Sequence, residues 1–129
     1  MDNSKVLNSI LVGILNLFGG AKSQPIASGT AANANNTAGS YQDAGKIFTF
    51  VSLQFVGTSL SAADGVIKLQ DSNDGSNWND ITGATITVAS GTSSNMIRYT
   101  AFTGEYVRAN WAAGSNASGT IAGTFVFKR

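Results

Sequence analysis

Apolar and polar positions alternate with two different periods along this chain. Between Lys5 and Lys22 no residue is charged, and residues 6–18 read VLNSILVGILNLF. Leu7, Leu11, Ile14, Leu15 and Phe18 recur at the i, i+3, i+4 spacing of a helical stripe, which Ile10, Val12 and Leu17 widen. Asn3 or Ser4 caps its start and Gly19-Gly20 stops it, so the pattern predicts a helix over 4–18, about 22 Å long. From Lys46 onward the period becomes two. The run KIFTFVSLQFV sets Ile47, Val51, Leu53 and Phe55 on one side and Phe48, Phe50 and Val56 on the other, which predicts a strand covered on both faces. Further strands are predicted at 66–70, 78–81, 84–88, 96–99, 105–111 and 120–127. Turn clusters separate them, among them Asp74-Gly75, Thr82-Gly83, Ser90-Gly91 and Thr103-Gly104. Seven short strands, with an eighth available around 26–31, predict an all-β fold: a single β-sandwich or jelly roll.

Residues 21–45 lie between these two patterns. They contain the sole proline, Pro25, and little bulk beyond Ile26 and Tyr41. Small polar residues bury too little area to offset chain entropy, so the stretch reads as an extended arm, ordered by running over its own sandwich or a neighbour. The expected organisation is an apolar N-terminal helix at 1–20, an arm at 21–45 and a β-sandwich at 46–129.

The front segment admits four readings. A membrane span needs about 20 apolar residues, more than this run supplies. A secretory signal would use Gly19-Gly20-Ala21 for cleavage, but Asp2 opposes Lys5 in what should be a positive leader. A helix packed on its own domain accounts for the stripe. A helix whose apolar face meets a partner chain or a membrane surface also accounts for the nearly all-round apolarity. The last reading is favoured, and it makes Leu7, Ile10, Leu11, Ile14, Leu15 and Phe18 the contact residues.

Composition narrows the function. Eight Lys and Arg against seven Asp and Glu leave a formal charge of +1, without the clustered basic excess a nucleic-acid backbone requires. The chain has no Cys and no His, which removes disulfides, thiolate nucleophiles and the commonest general base. Ala, Gly, Ser, Thr and Asn make up 71 of the 129 residues, a composition of thin strands and many turns rather than of an enzyme.

Three acids fall in DSNDGSNWND, residues 71–80, which invites a calcium loop. Its glycine comes one place early and its fifth position lacks an oxygen ligand, so the segment reads as a hairpin turn at Asp74-Gly75. Serine and threonine lack a histidine to activate them, and no two acids stand out as a glycosidase pair. Lys68 reads as a solvated strand residue. No catalytic, cofactor or metal residue is therefore assigned, and no cofactor is expected. Trp78 and Trp111 remain as a candidate ligand surface, set against the commoner use of strand aromatics as core.

The runs VIKLQDSNDGSNWNDITGATIT and MIRYTAFTGEYVRANW, about a third of the chain, carry a resemblance. A strand, then S-N-D-G-x-N-W, then Y-V-R-A resembles β-sandwich modules of bacteriophage virion proteins, including capsid, vertex and head-decoration proteins. The same cadence is similar to discoidin-like carbohydrate-binding domains, which are usually longer than 46–129. The resemblance implies a sandwich and transfers no catalytic residue. Joined to the apolar front segment, it implies a non-enzymatic structural subunit of a phage particle, such as a penton, vertex or minor capsid protein. Its partners would be further copies, other capsid subunits and an internal viral membrane, with no nucleic acid. The alternative is a carbohydrate- or cell-surface-binding module of a spike or fibre. A hydrolase using Asp71 and Glu105 is a weaker third.

Overall fold

A computed structural model describes residues 21–42, 48–100 and 105–128, together with Asn3. Period-two alternation in these stretches forms eight strands: β1 Ala21–Ala31, β2 Asn36–Gln42, β3 Phe50–Leu60, β4 Gly65–Ser72, β5 Asn79–Val88, β6 Gly91–Tyr99, β7 Tyr106–Ala112 and β8 Thr120–Lys128. They make two antiparallel four-stranded sheets, ordered β1-β8-β3-β6 and β2-β7-β4-β5. Strand β1 pairs with β8, β2 with β7, β3 with β6 and β4 with β5, as in one long hairpin wound upon itself. The β3–β8 and β4–β7 pairings then complete each sheet. This is jelly-roll winding.

The expected N-terminal helix lies outside the described residues, as do its contact residues Leu7, Ile10, Leu11, Ile14, Leu15 and Phe18. Of the two courses open to the small-residue stretch, its described part takes its own sandwich. Residues 21–42 supply β1 and β2, one outer strand for each sheet, so the small-residue stretch lies on this chain's own sandwich. Small side chains suit that place, because an outer strand gains its order from ladder hydrogen bonds to one neighbour. Pro25 sits in β1, and the β1–β8 register shifts on either side of Ile26, two devices that blunt a sheet edge.

Two expectations change. The predicted strands at 78–81 and 84–88 are one strand, β5. Gly83, at φ 81°, carries the chain through the expected turn, and the β4–β5 register shifts nearby, between Lys68 and Gln70. Strand β3 is not covered on both faces. Val51, Leu53 and Phe55 are buried, whereas Phe50 is 42% exposed, because in a two-layer sandwich only the inner face meets the other sheet.

The core lies between the sheets. Phe55 of β3 and Trp111 of β7 stack across the interior at 5.2 Å and 25°. Phe48, Phe125 and Phe127 form a second aromatic group with centroids 5.5–5.6 Å apart. Trp111 Nε1 donates to the Ala32 carbonyl at 3.1 Å, tying the β1–β2 turn to the core. Gly65 makes room for that indole: a Cβ there would lie 2.8 Å from Trp111 Cζ2 and 2.9 Å from Asn116 Nδ2. Asn116 is itself buried, donating to the Ala113 carbonyl at 2.8 Å and accepting from the Ala62 amide at 3.0 Å.

Candidate interaction surface

The outer face of the β2-β7-β4-β5 sheet carries a polar network built by register. Asp80, Gln70 and Arg108 are directly cross-strand, and Lys68 and Asn110 form the next row. Gln70 is only 8% exposed although it points away from the core, because its neighbours close over it. Its Oε1 accepts from Arg108 Nε at 2.8 Å and from Asn110 Nδ2 at 3.2 Å, while its Nε2 donates to Asp80 Oδ1 at 2.7 Å. Lys68 Nζ pairs with Asp80 Oδ2 at 2.8 Å. The hydrogen bond from Lys68, followed by that from Gln70, holds the Asp80 carboxyl below the usual carboxylate range.

Trp78 stands beside this network, half-buried. The Arg108 guanidinium lies over its ring, 4.3 Å from the centroid, and Tyr106 meets it edge-on at 6.4 Å and 70°. Trp78 is thus a partly accessible ring held in one orientation by two neighbours from β7. Trp111, the other sequence candidate, belongs to the core. It is 0% exposed, so it presents no surface to a ligand. The odd positions 107, 109 and 111 of β7 face inward and the even ones outward, which buries Trp111 and sets Tyr106 and Arg108 beside Trp78.

The DSNDGSNWND segment forms the β4–β5 connection. Asp74 Oδ1 accepts from the amides of Ser76 and Asn77 at 2.8 Å each, and Oδ2 accepts from Asn77 Nδ2 at 2.7 Å. Ser72 Oγ receives the amides of Asp74 and Gly75 at 3.2 and 2.9 Å. The bonds to its carboxylate, led by those from Asn77 and joined by the Ser76 amide and the Ser72 hydroxyl, hold the Asp74 carboxyl far below its ordinary range. Its oxygens are occupied by the turn itself. Among the described residues no group of three or more His, Cys, Asp or Glu side chains is placed to hold a metal ion.

The opposite outer face, on the β1-β8-β3-β6 sheet, was not singled out by the sequence. Lys22, Val126, Ser52 and Arg98 form one row across all four strands, and Phe50 sits opposite Lys128 in the next. Phe50, Ser52, Arg98, Thr100, Val126 and Lys128 line a shallow hollow of about 410 Å³. Phe50 and Met96, at 42% and 39%, are the exposed large hydrophobics among the described residues, and both lie on this face. A signal was present in the sequence: Phe50 shares its parity with Ser52 and Gln54, which marks it as outward.

No family model matches this chain, and no curated protein matches it. Among solved structures it is similar to the SPBc2 prophage-derived protein YomS, with 8% identity over 84% of this chain and 96% of that one and a TM-score of 0.53. It is similar also to PirA, with 12% identity over 82% and 92% and a TM-score of 0.51. The likeness is one of fold. A CBM4 structure aligns over 73% of this chain and 59% of its own at a TM-score of 0.45, too distant to support an argument.

Proposed function

We propose that this chain is a non-enzymatic structural subunit of a bacteriophage particle, a penton, vertex or minor capsid protein that works by packing against its neighbours. The observation that carries the reading is a jelly roll whose first outer strand, β1, follows directly on the uncharged apolar run at residues 6–18. Jelly rolls recur in viral capsid proteins and in lectins. An apolar run leading into a surface strand is well placed to reach another subunit or an internal membrane. The prophage source of YomS, which shares the fold, agrees with a virion location. Deleting residues 1–20 tests the reading. The full chain is expected to associate in solution and the truncated chain to form smaller species. If both are monomers with identical behaviour, the reading fails.

The second reading is a carbohydrate- or cell-surface-binding module of a spike or fibre, favoured by the half-buried Trp78 beside hydrogen-bonding side chains. A glycan array combined with tryptophan quenching tests it. Trp111 is the internal control, since it is buried; a bound glycan would quench Trp78, and unaltered emission across the array would refute this second reading.

A further inference from the structure

We propose that the apolar run at residues 6–18 seats on the outer face of the β1-β8-β3-β6 sheet, over Phe50, Val126 and Met96, and is exchanged there between neighbouring copies. The inference rests on the shell reading only for which copy supplies the run. The two outer faces of the sandwich differ in what they leave open. On the β2-β7-β4-β5 sheet the outward side chains Lys68, Gln70, Asp80, Arg108 and Asn110 bond to one another. On the other sheet the even positions of β3 and β8 point outward, because odd neighbours such as Val51, Phe55 and Phe125 fill the core. That parity, with the β3–β6 register, puts Phe50, Val126 and Met96 outside, and Phe50 and Met96 are exposed. Two shallow hollows adjoin across β8: the one beside Phe50 and Val126, and a second of about 360 Å³ lined by Lys22, Ser23, Gln24 and Thr124. Together they cross all four strands. Four strands about 4.8 Å apart make a face about 14 Å wide, and 13 helical residues are about 20 Å long, enough to cross it.

The chain enters the sandwich beside this face. Ala21 pairs with Phe127 and Lys22 with Val126, so β1 begins at the end of the sheet that carries Phe50 and Lys128. Only Gly19 and Gly20 separate the run from that point, a tether of about 7 Å at full extension. Charge suits the same occupant. Lys22, Arg98 and Lys128 stand at that end, and no acid of the described residues lies on this sheet. The run has no charge of its own, and a helix ending at residue 18 would bring its partly negative carbonyl end to these cations. Their aliphatic stems add apolar contact while the charged heads stay in water. Two glycines leave the link free to turn either way, so the same contact forms within one chain or passes to the next copy. Exchange of an identical element is a low-cost route to association.

The chain has no cysteine, so a single substitution places a probe cleanly. Benzophenone-maleimide on Met96→Cys, in full chains mixed from isotopically light and heavy stocks, records what lies on this face after association. The same probe on Thr85→Cys, exposed on the opposite sheet, is the control. Adducts between the Met96 probe of one copy and residues 6–18 of another are expected, and none from the Thr85 probe. Deleting residues 1–20 should speed alkylation of Met96→Cys roughly tenfold, as a covered side chain opens to solvent. Far-UV circular dichroism checks that each variant folds. Adducts to residues 6–18 of the same chain alone would keep the seat but end both the exchange and the shell reading. If deleting residues 1–20 abolishes assembly, yet the Met96 probe never reaches residues 6–18 and its alkylation rate is unchanged, the shell reading stands and the seat is overturned. Adducts to phosphatidylserine vesicles in place of residues 6–18 would also overturn it, assigning the face to lipid.

Discussion

Gly65→Ala probes the packing that joins the two sheets. The added methyl would meet Trp111 Cζ2 at 2.8 Å and Asn116 Nδ2 at 2.9 Å. Neither neighbour is free to withdraw. Trp111 is stacked on Phe55 at 5.2 Å and hydrogen-bonded to the Ala32 carbonyl, and Asn116 holds the Ala62 amide and the Ala113 carbonyl at once. Overpacking a core site of this kind costs about 1–3 kcal/mol. A chain this size should lose about 3–5 °C of melting temperature per kcal/mol. Trp111→Phe removes the obstructing ring carbons but leaves the Ala32 carbonyl without its indole donor, at a cost of about 2–3 kcal/mol. In the double variant the smaller ring accommodates the methyl, so the two losses should fall short of their sum by about 1 kcal/mol. Thermal and urea unfolding of the four proteins measure the cycle. Strict additivity, or a neutral Gly65→Ala, would refute the claim that Gly65 exists to admit the indole.

Asp74 makes the β4–β5 connection pH-sensitive. Its folded pKa lies below the ordinary 3.8, so its contribution is complete above that value and lost as pH falls through the folded pKa. The melting difference between the native chain and Asp74→Ala should be constant near neutrality and shrink only below about pH 4; a difference that vanishes at pH 6 would contradict the turn hydrogen bonds. Arg108→Lys should cost about 1 kcal/mol and change Trp78 fluorescence, because an ammonium cannot both stack on the ring and donate a planar Nε–H to Gln70. An unchanged spectrum would mean the guanidinium does not lie on the indole.

The strands from residue 50 onward were legible because alternation is enforced by burial on one face. Val51, Leu53, Phe55, Ile121, Phe125 and Phe127 fall into the core as their parity requires. Strands β1 and β2 were harder to read. Their order comes from pairing with β8 and β7, which are distant in sequence, and Ala, Ser, Thr and Asn reveal little of a partner that supplies only backbone hydrogen bonds. Ile26 was the visible signal, and it is the one buried side chain among residues 22–31 of β1. The Thr82-Gly83 pair reads as a turn between two strands, whereas Gly83 lies at positive φ inside the single strand β5; a left-handed glycine serves a turn and a bulge alike. Trp78 and Trp111 looked alike in sequence. Their separation depends on Trp111 taking an inward position of β7 while Trp78 lies in the β4–β5 connection, and on Arg108 of β7 reaching over Trp78.

Residues 6–18 bear the weight of the shell assignment, and their neighbours can be identified directly. A photoreactive residue in place of Ile14, in full chains mixed from isotopically light and heavy stocks, records what lies beside the segment in the assembled state. The account predicts mixed light–heavy adducts or adducts with lipid. Adducts confined to the same chain's β3 or β8 would place the segment on its own sandwich and contradict it.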